Sequence, residues 1–146
     1  MFPQRSAGRQ QHRGRRQSGD NGASAVIIFG NNDSAYVDQL GERNTSYINQ
    51  GASNALADVW QDGAENASGI SQGEQSDAYV TQLGENGRST ITQTFGETAT
   101  VKQTSLSVNA ISTIVQNGAG HTAVVSQYSG DNSALVTQAG TGNTAS

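Results

Sequence analysis

Gln39-Leu40-Gly41-Glu42-Arg43-Asn44-Thr45-Ser46-Tyr47-Ile48-Asn49-Gln50 decides the fold, because what lies between its two glutamines is repeated down the chain. Glutamines stand at 39, 50, 61, 72, 82, 93, 103, 116, 127 and 138, in steps of 11, 11, 11, 10, 11, 10, 13, 11 and 11 residues. Two residues before each stands a β-branched aliphatic: Val37, Ile48, Val59, Ile70, Val80, Ile91, Val101, Ile114, Val125 and Val136. Four before, the residue is small: Ala35, Ser46, Ala57, Ser68, Ala78, Ser89, Ala99, Ser112, Ala123 and Ala134. These three positions fall on one side of an extended strand, because side chains alternate faces along it. On a helix the same stripe winds around the turn and buries no continuous face. Each unit reads as about seven strand residues and about four turn residues. The turns carry Gly30, Gly41, Gly51, Gly63, Gly73, Gly84, Gly96, Gly118, Gly130 and Gly140, expected to supply positive φ.

A second period lies over the first. Ala pairs with Val in the units ending at Gln39, Gln61, Gln82, Gln103 and Gln127, and Ser with Ile in those ending at Gln50, Gln72, Gln93 and Gln116; only the unit ending at Gln138 breaks the alternation. The true repeat is then about 22 residues, two strands per coil, one in each of two facing sheets roughly 10 Å apart. The expected fold is all-β: a two-sheet parallel β-solenoid, an amyloid-type β-helix, of about five 22-residue coils with two strands each, climbing roughly 4.7–4.9 Å per coil.

The period also sorts the interior. Val and Ile form the apolar core, and the glutamines share their face, so they are expected to stack amide on amide in two ladders. Gln39, Gln61, Gln82, Gln103 and Gln127 make one; Gln50, Gln72, Gln93, Gln116 and Gln138 the other. Asn44, Asn66 and Asn132, five residues after a glutamine, suggest a shorter ladder broken by Gly87 and Ala110. Ser24-Ala25-Val26-Ile27-Ile28 repeats the small, β-branched, third-slot spacing with Ile28 in the glutamine place, and reads as an eleventh strand. Thr104 to Asn109 lengthens one step to 13 and calls for a bulge or wider loop. Edge strands left unpaired at the two ends invite further copies, so Ser24, Val26 and Ile28 at one end, and Ala134, Val136 and Gln138 at the other, are the expected polymerisation ends.

Composition agrees with repetition. Hydrophobic residues are 33% and aromatics 5% of 146 residues, too few for an ordinary globular core. The chain has no cysteine, so there is no disulfide framework or thiolate metal site, and no 18-residue apolar run that would span a membrane as a helix. Residues 1–23 differ from the rest: Arg5, Arg9, Arg13, Arg15 and Arg16 lie there with Asp20 the single acid, so this part carries about +4 against about −8 for residues 24–146. The segment is expected to be a disordered tail, either merely solvated or a basic arm for an acidic surface, nucleic acid or a neighbouring copy. Nucleic acid is not expected as the main partner, since the repeats are acidic. Ala25–Phe29 is too short for the apolar part of a secretory signal.

The units resemble the curlin repeat of bacterial curli fibre subunits, Ser-x5-Gln-x-Gly-x-x-Asn-x-Ala-x3-Gln. The matches are Gln39, Gly41, Asn44, Ser46 and Gln50; Gln61, Gly63, Asn66, Ser68 and Gln72; and Gln127, Asn132, Ala134 and Gln138, with Gly130 one place late. Asp33, Ala55, Asp77, Thr98 and His121 stand where other units have the Asn. The resemblance, over residues 24–146, implies a secreted functional amyloid that assembles at the cell surface into fibres supporting biofilm matrix, adhesion and surface attachment. It implies a major or a minor, nucleating subunit as alternatives, and a nucleator and an outer-membrane secretion pore as partners besides the copies of the fibre itself. No enzyme, cofactor, metal or membrane insertion is expected: His12 and His121 are the only histidines. Calcium-binding Gly-Gly-x-Gly-x-Asp turns are missing. The outward Thr row of an ice-binding solenoid is interrupted at Lys102. The remaining rival is a monomeric, capped β-helix acting as an adhesin or glycan binder.

Overall fold

The structure, a computed structural model, describes residues 10–146. Thirteen strands wind into two parallel sheets. Sheet A stacks β1 (Gln11–Ser18), β3 (Asp33–Glu42), β5 (Leu56–Ala64), β7 (Asp77–Gln82), β9 (Thr98–Gln103), β11 (Thr122–Gln127) and β13 (Thr144–Ala145). Sheet B stacks β2 (Ala23–Ile28), β4 (Thr45–Gln50), β6 (Ala67–Glu74), β8 (Arg88–Phe95), β10 (Ile111–Ala119) and β12 (Ser133–Thr141). Each strand pairs with the one two places on, so the chain crosses between the sheets at every turn. The result is a solenoid of about six coils rather than five.

The register follows the sequence period. Val37 lies beside Val59, Val59 beside Val80, and Gln39 beside Gln61; in sheet B, Ile48 lies beside Ile70 and Gln50 beside Gln72. A one-residue slip would turn every β-branched residue outward, so the buried face fixes the pairing. The core is a single file of Ile28, Val37, Ile48, Val59, Ile70, Val80, Ile91, Val101, Ile114 and Val125 with the Ala column; Val26, Ala134 and Val136 pack on it partly buried.

Three expectations are corrected. The tail boundary at residue 23 moves, because Gln11–Ser18 forms β1, paired in parallel with β3 and placing Gln17 beside Gln39. The spacing from Gln17 to Gln39 is the same 22 residues, and an edge strand can join a sheet through main-chain bonds even where its side chains are poor core residues. Residues 1–9 of the expected tail lie outside the described residues. The second correction concerns the turns: Asn21, Asn32, Arg43, Asn54, Glu65, Gln75, Asn86, Asn109 and Asp131 also hold left-handed positions, with φ between 53° and 61°. Among the ten turn glycines, Gly41, Gly63, Gly96, Gly118 and Gly140 have positive φ. At Gly73 the reason for glycine is close approach, since a Cβ there would lie 1.8 Å from the Thr94 carbonyl oxygen.

The third concerns the column at the corner leading into sheet A. It holds Asp33, Ala55, Ser76, Glu97, His121 and Asn143, because the main-chain N–H groups of Ser34, Leu56, Asp77, Thr98 and Thr122 donate to the carbonyls of Ala55, Ser76, Glu97, His121 and Asn143. Asp77 and Thr98 are one place further on. Both units have a 10-residue step, and the missing residue is taken from the turn, which leaves strand register intact. The long step after Gln103 is absorbed likewise: Ser107 N–H turns back onto Thr104 O, and Val108 bridges to Glu85.

Candidate functional site: two amide ladders and two open ends

Glutamine is the long polar side chain that recurs on the core face of every coil from Gln39 to Gln138, and buried amides need partners. In sheet A, Gln39 Nε2 donates to Gln61 Oε1 at 2.8 Å, Gln61 to Gln82 at 2.8 Å, Gln82 to Gln103 at 2.9 Å and Gln103 to Gln127 at 2.9 Å. In sheet B, Gln50 donates to Gln72 at 3.2 Å, Gln72 to Gln93 at 3.3 Å, Gln93 to Gln116 at 3.1 Å and Gln116 to Gln138 at 2.8 Å. Every rung runs the same way, Nε2 toward the C-terminal coil, so each ladder starts with an acceptor and ends with a donor.

Sequence reasoning missed the other bond each amide makes. Gln72 Nε2 also donates to Leu56 O across the coil at 2.8 Å, Gln61 to Thr45 O at 2.9 Å and Gln116 to Thr98 O at 3.2 Å. The glutamines thus tie sheet to sheet as well as coil to coil. The signal was present in the pattern, since one glutamine per strand at the exit of the buried face lies opposite the entrance of the strand before it.

The asparagines act differently from the expected ladder. Asn44 Nδ2 donates to Leu40 O and Gly63 O, while its Oδ1 accepts the main-chain N–H of Asn66 at 3.0 Å. Asn66 repeats this with Gly84 O and the N–H of Gly87. They brace corners rather than bond amide to amide. Asn132, half-buried beyond Gly87 and Ala110, bonds Ser129 instead.

At the opposite corner Glu97 and His121 are fully buried. Glu97 accepts from the main-chain N–H and the hydroxyl of Thr94, and burial raises its pKa against the lowering effect of those bonds and of His121. His121 Nδ1 accepts the N–H of Asn143, holding the start of β13. On the outer face of sheet A, Asp38, Asp58, Trp60 and Tyr79 crowd together, and the Asp58 pKa is raised by burial and then by Asp38. Arg16 pairs loosely with Asp38 at 3.8 Å. Among the described residues no group of three or more His, Asp or Glu is placed to hold a metal ion.

The ends have a direction too. Phe29, Thr45 and Gly51, all outward residues, donate their N–H to Gln50, Asn66 and Gln72 of the next coil. Main-chain groups alternate sides along a parallel strand, so outward residues bond toward the C-terminal end and inward residues toward the N-terminal end. Of the expected polymerisation ends, Ser24, Val26 and Ile28 therefore turn their main chain to the open edge. Ala134, Val136 and Gln138 turn theirs back to β10; there the open groups belong to Leu135 and Thr137.

What the arrangement offers is stacking surfaces. Residues 113–140 match the family model described as the curlin associated repeat. No curated protein and no solved structure matches the chain. The matched segment runs from β10 to β12, and its Ile114, Gln116, Val125, Gln127, Val136 and Gln138 occupy the same slots as their counterparts in the earlier coils: over residues 113–140 the solenoid is similar to the curlin associated repeat.

Proposed function

We propose that this protein is a structural subunit of a secreted, curli-like functional amyloid, joining head to tail into fibres at the bacterial surface that serve biofilm matrix, adhesion and surface attachment. The observation that carries the reading is that, among the described residues, both sheets end in edges that no strand covers, while the amide ladders inside run with one polarity, acceptor first and donor last. Such a contact is heterologous and does not close on itself, so it propagates. A nucleating subunit and an outer-membrane pore are the partners this reading brings with it, and catalysis has no place in it.

The test is a time course of amyloid-dye fluorescence at micromolar protein, with and without preformed fragments, followed by fibre diffraction. A lag abolished by fragments, with a meridional reflection near about 4.7–4.8 Å, is expected of a major subunit. Lag-free assembly that seeds other curlin-repeat chains would assign the nucleating role instead. Protein that stays monomeric for days with fragments present would overturn the reading and favour the monomeric adhesin.

A further inference from the structure

The two ends of the solenoid are chemically unlike. At the C-terminal end, Ala134, Val136 and Gln138 keep the residue types of the interior slots. At the N-terminal end β1 keeps the register but not the chemistry: Arg13 stands beside Ala35, Arg15 beside Val37 and Gln17 beside Gln39. The column that Arg15 heads is otherwise Val37, Val59, Val80, Val101 and Val125, each at most 4% exposed. Arg13 and Arg15 are exposed, and no strand of the described residues lies over β1. Stacking a second copy there would cover both guanidinium groups. The inward slots that would surround them hold Ser24, Val26 and Ile28 on one side and Ala123, Val125, Gln127, Ala134, Val136 and Gln138 on the other, without a carboxylate. A charge buried without its counter-charge is strongly unfavourable, and inward-pointing charge on an edge strand is a known way to stop edge-to-edge pairing.

Two independent observations point the same way. The amide ladders stop before β1: Gln39 Oε1 and Gln50 Oε1 are buried acceptors without a donor, because Gln17 Nε2 lies against Gly22 and Ile28 replaces the amide beside Gln50. The strand count is also odd. Sheet A has seven strands and sheet B six, so two copies joined with both sheets continuous leave one sheet A place claimed twice, by β13 of one copy and β1 of the next. β13 brings Thr144 and Ala145 beside Thr122 and Ala123, in keeping with the column; β1 brings arginine.

We propose that β1 is a built-in cap: it completes the first coil of the free subunit, and Arg13 and Arg15 bar a second copy from that end until β1 gives up its place. Once β1 leaves, β3 presents Ala35, Val37 and Gln39, with the Gln39 amide oxygen ready to accept the next rung. The inference rests on the self-assembly reading and adds a barrier to it.

The test compares the full-length chain with its Arg13→Ala/Arg15→Val and Arg16→Ala variants. The double variant is expected to shorten the assembly half-time on the order of tenfold or more, while Arg16→Ala, which removes an outward charge paired loosely with Asp38 and leaves the inward arginines in place, changes it far less. Hydrogen exchange adds a readout that a general change in stability would not move: in wild-type fibres residues 11–18 exchange freely although β3 is protected, and in double-variant fibres they become protected. Equal half-times for wild type and double variant, or protected residues 11–18 in wild-type fibres, overturn the cap and leave the fibre reading standing. If neither protein assembles even when seeded, the fibre reading fails and the cap with it.

Discussion

Replacing Gln72 by alanine tests whether the amide ladders hold the solenoid together. Gln72 accepts from Gln50 and donates to Leu56 O, Ser76 O and Gln93 Oε1. Gln50 keeps its bonds to Ser34 O and Ala55 O, and Ser76 O keeps the N–H of Leu56. The main loss falls on Gln93 Oε1, which is buried and left without a donor, at about 1–3 kcal/mol. A residual void of roughly 50 Å³ at about 24 cal/mol per Å³ adds about 1 kcal/mol. The sum, about 2–4 kcal/mol, is a large fraction of the stability of a small domain. Thr90→Ala, on the outer face of β8, the next strand of the same sheet, should stay within about 0.5 kcal/mol. The assay is guanidinium unfolding of freshly prepared monomer, with hydrogen exchange reporting β6 and β8. Gln138→Ala serves as an internal comparison: its Nε2 has only Thr122 O, so its loss should cost less in the monomer and more in elongation. If Gln72→Ala and Thr90→Ala shift the midpoint equally, the amides do not carry the load assigned to them.

Four further outcomes are expected. Ser68→Ala should leave stability unchanged or raise it by up to about 1 kcal/mol, because Ser68 Oγ is buried without a partner; thermal unfolding checks it, and a loss would mean the hydroxyl is bonded. Gly73→Ala should cost about 1–3 kcal/mol through the clash with Thr94 O, while Gly69→Ala, whose Cβ would meet nothing within 4 Å, should gain about 0.5–1 kcal/mol. Burial raises the pKa of Asp58, Asp77 and Glu97 in the folded chain, so the folded state binds more protons than the unfolded one. Stability is then fullest below the ordinary carboxylate range and falls as pH rises through the raised values; denaturation at stepped pH should show this, with a shallower fall for Glu97→Gln. Val26→Pro removes an N–H that faces the open N-terminal edge, whereas Ile27→Pro removes one bonded into β4, so only the second should unfold the first coil. Circular dichroism of the monomer separates them.

Much of this fold is legible in the chain alone. The small, β-branched, glutamine triplet fixes strand, face and register at once, because a period of two is compatible only with an extended strand and the alternation of Ala-Val with Ser-Ile fixes which strands are neighbours. That is why the core from Val37 to Val136 and both glutamine columns could be written down from spacing. What spacing could not give lies at corners and ends. The 10-residue steps could lose their residue from strand or turn, and only the packed structure puts Ser76 and Glu97 into the column of Asp33 and His121. Asn44 and Asn66 look like a ladder in one dimension, but the carbonyls of Gly63 and Gly84 lie nearer than another amide, so they brace corners. Residues 11–18 carry no hydrophobic signal, and their arginines argue against order; they join sheet A because an open edge bonds main chain regardless of side chain. Repetition writes the interior into the sequence many times over, whereas an end occurs once, and its chemistry is decided by which edges the folded coils leave uncovered.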